Sequence, residues 1–517
     1  MSSGLMLTGR LPLVLLGAAF IALPLSFFLL QLYKRAVLRS MSKRAATQPG
    51  NAESERPTRS RNTALSPNEL RRIALRSPWR AALIYVTAGC AYAIVVACAE
   101  LIAGKLPFSL LIVLVLVWNY AWAIAWSVIL IAGAERRTKA IIVLAYFAVL
   151  FCGAFVGMSA KQIVVLWGFS NLGPTLLLLC FLTRPIRAVG PVIFTFVLVA
   201  AIGCEIAFEL LAYDVQHSGT VTHAALSLGF NATTYLALVL GAGFLIFAVF
   251  GWFAMRWIGR RYERKKITDQ SIMLDAIWIT FASVHAVFLS INGAAWALAA
   301  ILALAIYKLT LAIAFRCWRI RTSDAPRLLI LRVFSLGRRS QRMFHRVAQH
   351  WRYVGSIQFI AGPDLATTTV DPHEFLAFLG GKLARRFIDG ARAFEKRLAE
   401  ADLTRDFDQR FRVNDFFCQE NAWQLVLSRL VRQSDAVLID LRGFTSANAG
   451  CVFELQELKK LARPGGVVLI VDDTTSEEFL NETLGDSAVQ FRFVKTAGRG
   501  GEVHHIIETI CAAAAAA

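Results

Sequence analysis

Asn231-Ala-Thr-Thr-Tyr-Leu-Ala-Leu-Val-Leu-Gly-Ala-Gly-Phe-Leu-Ile-Phe-Ala-Val-Phe-Gly-Trp-Phe-Ala-Met255 runs directly into Arg256-Trp-Ile-Gly-Arg-Arg-Tyr-Glu-Arg-Lys-Lys266. The first block has no charge and exceeds the roughly 20 apolar residues needed to cross about 30 Å of hydrocarbon. The second carries six basic side chains, which hydrocarbon excludes. One block crosses a bilayer and the other stays in water. Comparable apolar blocks occur at Leu11 to Tyr33, Ala81 to Ala103, Leu106 to Ala132, Ala140 to Ser159, Ile163 to Leu182, Pro191 to Tyr213, Ile272 to Ile291 and Ala294 to Phe315. The expected membrane region, residues 1–321, therefore has about nine spans.

Its basic residues alternate between the gaps. The gaps 34–80, 133–139, 184–187, 256–266 and 316–321 hold 26 Lys and Arg, whereas the opposite gaps hold Arg10, Lys105 and Lys161 alone. By the positive-inside rule the 26 face the cytoplasm, the N-terminus lies outside the plasma (inner) membrane, and everything after Arg316 is cytoplasmic. Leu11 to Tyr33 reads as a span rather than a signal peptide, because a basic flank follows it and no small-residue cleavage site precedes that flank. Within the first gap, residues 45–69 are polar and proline-bearing, as in a flexible loop. Asn68 to Arg80 reads either as a basic helix on the inner membrane surface or as a solvated connector.

The net charge of +20 belongs to the membrane region. Residues 1–321 hold 30 basic and 11 acidic side chains, against 25 and 24 in residues 322–517. Membrane orientation and anionic lipid account for the excess, so nucleic acid is excluded as a partner. The nine cysteines show neither a disulfide framework nor a zinc spacing.

From Arg327 the pattern changes to short apolar blocks alternating with amphipathic ones, the sign of a doubly wound parallel α/β sheet. Strands are expected at Leu328 to Phe334, Ile357 to Ile360, Ala436 to Leu441, Val467 to Val471 and Val489 to Val494. Helices are expected near Gln341 to Tyr353, Pro372 to Ala401, Gln419 to Gln433, Gly450 to Leu461 and from Val503. Asp402 to Phe416 reads as a surface insertion, and residues 512–517 as a low-complexity tail that frays. Ligands of such sheets bind beyond the carboxyl ends of the strands. This selects Ser335 to Arg339, Gly362 to Asp364, Asp440 to Asn448 and Asp472 to Thr475.

The richest segment is Ser434-Asp-Ala-Val-Leu-Ile-Asp-Leu-Arg-Gly-Phe-Thr-Ser-Ala-Asn-Ala-Gly-Cys-Val-Phe-Glu-Leu455, a buried strand, a loop and a helix start. Glu454 falls about one turn inside that helix. There it is an exposed acid favoured by the helix dipole, a ligand contact or a catalytic group. Cys451 reads as core. Asp472 and Asp473 suit Mg²⁺ beside phosphates or ordinary turn and N-cap chemistry; the turn reading is preferred and no metal is assigned.

With these residues on the page, residues 322–511 resemble two related families. Cys451 and Glu454 match the Trp-Cys-x-x-Glu spacing of Toll/interleukin receptor (TIR) domains, and Gly450 with Glu454 matches the Asp-x-Gly-x-x-x-Glu spacing of nucleoside deoxyribosyltransferases. The resemblance implies cleavage of an N-glycosidic bond, with NAD or a nucleotide as substrate and Glu454 as the catalytic carboxylate. Ser335, Asp440, Asn448 and Asp472 would then hold ribose hydroxyls. It also implies a signalling or effector module that assembles into homo-oligomers through this domain.

In the membrane region Glu205, Glu209, Asp275, His285 and Lys308 are ionisable residues inside spans, where each charge costs about 2.5 to 3.5 kcal/mol on insertion scales. They pair, line a wet cavity or stay neutral near the interface, and a carboxylate bridge to Lys308 is the simplest arrangement. They serve either an ion or proton path, a ligand pocket, or interhelical packing. Asn171, Gly173 and Pro174 kink the fifth span in this reading, and Trp118, Trp122 and Trp126 form a packing stripe. A transporter or channel with a regulatory domain, and a non-catalytic scaffold, are the competing functions.

Overall fold

Ser66 and Glu69 form a reciprocal capping box, the Glu69 amide donating to Ser66 Oγ at 3.3 Å and the Ser66 amide to Glu69 Oε2 at 3.0 Å. With Pro67 in the first turn, this fixes the start of α2, Pro67–Ala103. Its 37 residues extend about 55 Å at 1.5 Å per residue, much longer than a bilayer requires. The computed structural model describes residues 2–42, 65–131, 136–152, 159–181, 186, 189–217, 219–320, 325–332, 337–361, 370, 372–419, 422–496 and 502–516.

Around α2 stand α1 (Ser2–Met41), α3 (Leu110–Tyr120), α4 (Trp122–Ile131), α5 (Arg136–Cys152), α6 (Ala160–Trp167), α7 (Gly173–Phe181), α8 (Gly190–His217), α9 (Thr220–Ser227), α10 (Ala232–Glu263), α11 (Asp269–Ser290) and α12 (Ala297–Cys317). Among the described residues seven helices are long and apolar enough to cross a membrane, counting α6 and α7 as one through the π-helical turn Gly168–Leu172. The pair α3 and α4 makes an eighth if its 44° bend lies within one span. The expected span at Ala140 to Ser159 corresponds to α5, which has 17 residues; residues 153–158 fall outside the described ones, as do 45–64 of the expected loop. Near Asn171, where a kink is expected, the helix passes through the π-turn Gly168–Leu172. Pro174 has no amide to give the Ser170 carbonyl, so an α-helical ladder cannot continue there.

The C-terminal half is a seven-stranded, wholly parallel sheet: β1 Arg327–Arg332, β2 Ser356–Ala361, β3 Phe387–Ile388, β4 Val413–Cys418, β5 Ala436–Asp440, β6 Val467–Val471 and β7 Phe491–Lys495, in the order β3-β4-β2-β1-β5-β6-β7. The five strands expected from sequence lie side by side as β2-β1-β5-β6-β7, the doubly wound order with its reversal between β1 and β5. Helices α13 (Gly337–Trp351), α14 (Pro372–Leu379), α15 (Ala391–Ala399), α16 (Trp423–Gln433), α17 (Ala449–Leu461), α18 (Glu477–Leu484) and α19 (Glu502–Ala515) cover it. Two apolar clusters flank the sheet. One contains Leu329, Ile439, Leu469 and Leu455, the other Leu328, Leu438, Val468, Ile507 and Ile510.

Four expectations are corrected. Asn68 to Arg80 is no surface helix: it is the first part of α2, with Leu70 and Ala74 buried in the same cluster as α13 and α19. Residues 372–401 do not form one helix; Gly380 and Gly381, the latter at φ +68°, end α14 before β3 begins. Asp402 to Phe416 is no surface insertion, because its end forms β4 within the sheet and Asp406, Asp408 and Arg410 are buried. The alanine tail is helical to Ala515, and Ala513 and Ala514 are buried. Small side chains let α19 approach α2 closely.

Gly355, just before β2, is required by a close approach. A Cβ there would lie 1.9 Å from the Pro326 carbonyl oxygen. Gly355→Ala is expected to lower stability by at least about 1–3 kcal/mol through overpacking, read as a fall in melting temperature in detergent.

Candidate functional site

The reversal between β1 and β5 places Asp440, the last residue of β5, at the crevice where doubly wound sheets take ligands. Asp440 is fully buried. Arg442 grips it through Nε to Oδ1 and Nη2 to Oδ2, both at 2.7 Å, and Ser340 Oγ donates to Oδ2. Gly443, at φ +71°, adopts the left-handed backbone that glycine favours in the turn after β5. Burial pulls the Arg442 guanidinium down, but the hydrogen bond and charge of Asp440, joined by Asp472 and Glu502, hold it above its ordinary value. Both oxygens of Asp440 are thus held within the protein, by Arg442 and by Ser340.

The other expected residues sort as follows. Asp472 is buried and makes a turn: its Oδ1 accepts from the Thr474 amide at 3.0 Å, while its own amide donates to Thr475 Oγ1 at 3.0 Å. Thr475 Oγ1 in turn donates to the Leu441 carbonyl at 3.1 Å, tying the β6 loop to the β5 loop. Asn448 begins α17, and its Oδ1 accepts from the Thr445 amide at 2.9 Å. Glu454 is 4% exposed, so the exposed-acid reading is corrected; it lies in α17 beside the core residues Cys451, Leu455 and Leu458. Ser335 and Gly362 to Asp364 lie outside the described residues.

A second polar assembly joins the two halves and was read from the sequence only as an insertion. Arg412 Nε contacts both oxygens of Asp406 at 3.0 Å, its Nη2 donates to the Tyr262 carbonyl at 2.5 Å, and its guanidinium stacks 4.0 Å from the Tyr262 ring. Lys265 pairs with Asp402, Thr268 Oγ1 donates to Asp408 at 2.9 Å, and Arg410 binds Gln270. The Ile320 amide donates to Gln409 Oε1 at 3.1 Å. Arg71 on α2 meets Glu508 on α19 at 2.6 Å, and Tyr33 on α1 donates to Glu374 at 3.1 Å. Every contact falls at the end of the bundle that carries the basic gaps.

Burial outweighs the pull of Arg412 and moves the Asp406 carboxyl up to about 6. Asp415 moves up for the same reason. A carboxyl raised in the folded protein holds its proton more tightly there than in the unfolded chain. Its stabilising contribution is therefore full below the ordinary value near 4 and is lost as the pH rises through about 6. The shift at Asp406 corresponds to about 3 kcal/mol. Melting temperature in detergent is expected to fall between pH 4 and pH 7, with a shallower slope in Asp406→Asn.

Within the bundle, Asp275 pairs with Lys308, the bridge expected from sequence. His285 is fully buried, and its Nδ1 lies 2.9 Å from Tyr92 Oη. Glu205 and Glu209 are half-buried on α8, which packs mainly against α10 and α1, away from that pair. Tyr85, Tyr92, Glu100, Asn119 and Tyr120 also belong to the polar interior and were missed. Their signal was Tyr85, Tyr92 and Glu100 recurring on one face of α2. Trp118 stacks on Tyr146 and Trp122 is buried among Tyr146, Phe147 and Trp167, the packing role expected of the stripe. Neither a known family, nor a curated protein, nor a solved structure matches the chain.

Proposed function

We propose that this chain is an integral membrane signalling or effector protein whose sheet domain, on the cytoplasmic side, binds a nucleotide such as NAD through its ribose at the β1/β5 crevice. The observation that carries this reading is the buried Asp440–Arg442–Ser340 cluster at the point where the strand order reverses. The TIR-like resemblance of the strand, loop and helix around Asp440 and Glu454 points the same way. The cytoplasmic placement is supported by charge. The sheet domain sits on the end of the bundle bearing residues 256–266, and basic connectors remain inside.

Binding is favoured over cleavage. A carboxylate that attacks or stabilises a reacting sugar must reach it, and Glu454 lies beneath the surface of α17. The test is titration of the full-length protein in lipid nanodiscs with NAD, ATP and adenosine by calorimetry. Saturable binding that Asn448→Ala weakens and Glu454→Gln spares is expected. No heat with any of them would overturn the reading, and NAD consumption lost in Glu454→Gln would replace it with the enzymatic one.

A further inference from the structure

A subset of the bundle's ionisable and phenolic groups lies along the interface of α2 with α11 and α12 and falls into two compartments. In the compartment remote from the sheet domain, Tyr120 Oη donates to Glu100, Tyr92 Oη meets His285 Nδ1 at 2.9 Å, and the Tyr120 ring stands edge-on to His285 with centroids 4.6 Å apart. Asn119 Nδ2 donates to Ser170 Oγ at 3.0 Å, and Asn171 Nδ2 to the Asn119 carbonyl at 3.1 Å. These contacts gather the break between α3 and α4 and the π-turn around one histidine. Nearer the sheet domain stand Tyr85, Tyr307 and the Asp275–Lys308 pair, within electrostatic reach of Asp408 and Arg410.

Trp278 separates the two. Its fully buried ring lies 5.0 Å from Tyr92 on one side and 4.5 Å from Tyr307 on the other, and its Nε1 donates to Ser127 at 3.2 Å. It is seated over Gly89, where a Cβ would come within 3.0 Å of the indole. Both compartments contain buried polar atoms with no protein hydrogen-bond partner: Asn171 Oδ1 in the first, and Tyr85 Oη and Asp275 Oδ1 in the second. Each such atom costs about 1–3 kcal/mol unless water or another partner satisfies it. Carboxylates, imidazole and phenols joined by water can form a proton relay, one of the uses of ionisable residues inside membranes.

We propose that the α2–α11–α12 interface conducts protons between the two ends of the bundle and that Trp278 is its barrier. A proton entering at the Glu100 carboxylate passes by way of the Tyr120 and Tyr92 hydroxyls to His285, which takes one at one ring nitrogen and releases one from the other. Beyond Trp278 the proton is taken by Asp275, whose charge Lys308 balances, and released toward Asp408. Each group ends in its starting charge state, so the net event is one proton and one unit of charge moved. Glu100 and Tyr85 are about 22 Å apart along α2 at 1.5 Å per residue, most of the hydrocarbon thickness.

The full-length protein is reconstituted in vesicles of phosphatidylethanolamine and phosphatidylglycerol containing the pH dye pyranine, and a potassium gradient with valinomycin imposes the potential. Proton uptake at least threefold above protein-free vesicles is expected. Trp278→Ala should raise it at least tenfold, whereas His285→Gln and Asp275→Asn, added separately to Trp278→Ala, should each lower it at least tenfold. Trp278→Phe retains a barrier and should behave as the unaltered protein. Wild-type uptake equal to that of protein-free vesicles overturns the proposal, as does an unchanged rate in His285→Gln alone with its melting temperature preserved.

Discussion

Arg412→Met is expected to destabilise the folded protein in detergent at pH 8 by roughly 3–5 kcal/mol, the usual cost of removing one member of a buried ion pair. Methionine keeps the aliphatic packing over Tyr262 but removes both contacts to Asp406, whose side chain is 1% exposed, and the bond to the Tyr262 carbonyl. The magnitude arises from the carboxylate left behind, more than from the pair itself. Because Asp406 titrates near 6, it neutralises in acid, so the defect should shrink at pH 5. Adding Asp406→Asn should recover part of the loss at pH 8, and thermal melts of the single and double variants check both statements. A defect equal at both pH values would show that packing, not charge, holds the segment in place.

Arg442→Met carries the other large effect. Its guanidinium makes two 2.7 Å bonds to the fully buried Asp440 and is itself 4% exposed. Loss of one partner of such a pair costs about 3–5 kcal/mol, and the loop from Leu441 to Asn448 loses its anchor at the crevice. Nucleotide binding should disappear while the bundle stays folded, observed as an early sheet-domain transition in the melt. Lys495→Ala serves as control. Its contacts to Asp473 and Glu477 are exposed and screened, so the melt should not move.

What the sequence made legible was set by contrast between apolar and polar runs. Val467 to Val471 and Ala436 to Leu441 are wholly apolar or nearly so, and both are central strands buried on two faces. Val413-Asn-Asp-Phe-Phe-Cys418 has the same role beside β2, yet it follows a run of Asp and Arg and so looked like surface. Those charges are buried because their partners, Tyr262, Lys265, Thr268 and Gln270, lie about 140 residues earlier. No local pattern reports such distant partners. Asp275, Lys308 and His285 stand out as ionisable groups inside apolar runs, whereas Tyr85, Tyr92 and Tyr120 count as apolar there and Glu100 lies only three residues from the end of its run. The alanine tail misled for a related reason: low complexity suggested fraying, whereas small side chains pack closely on α2.

The membrane bundle and the parallel sheet are locked together through residues 402–412 and the connector between α10 and α11. The direct measurement is cross-linking in native membranes of a Lys265→Cys, Thr404→Cys protein with a short bis-maleimide, in a background lacking the native cysteines. Lys265 reaches both Asp402 and Thr404 in the structure. Near-complete formation of the intramolecular link, lost when Arg412→Met is added, is expected. A protein that stays unlinked while each cysteine alone reacts fully with a monofunctional maleimide would contradict it.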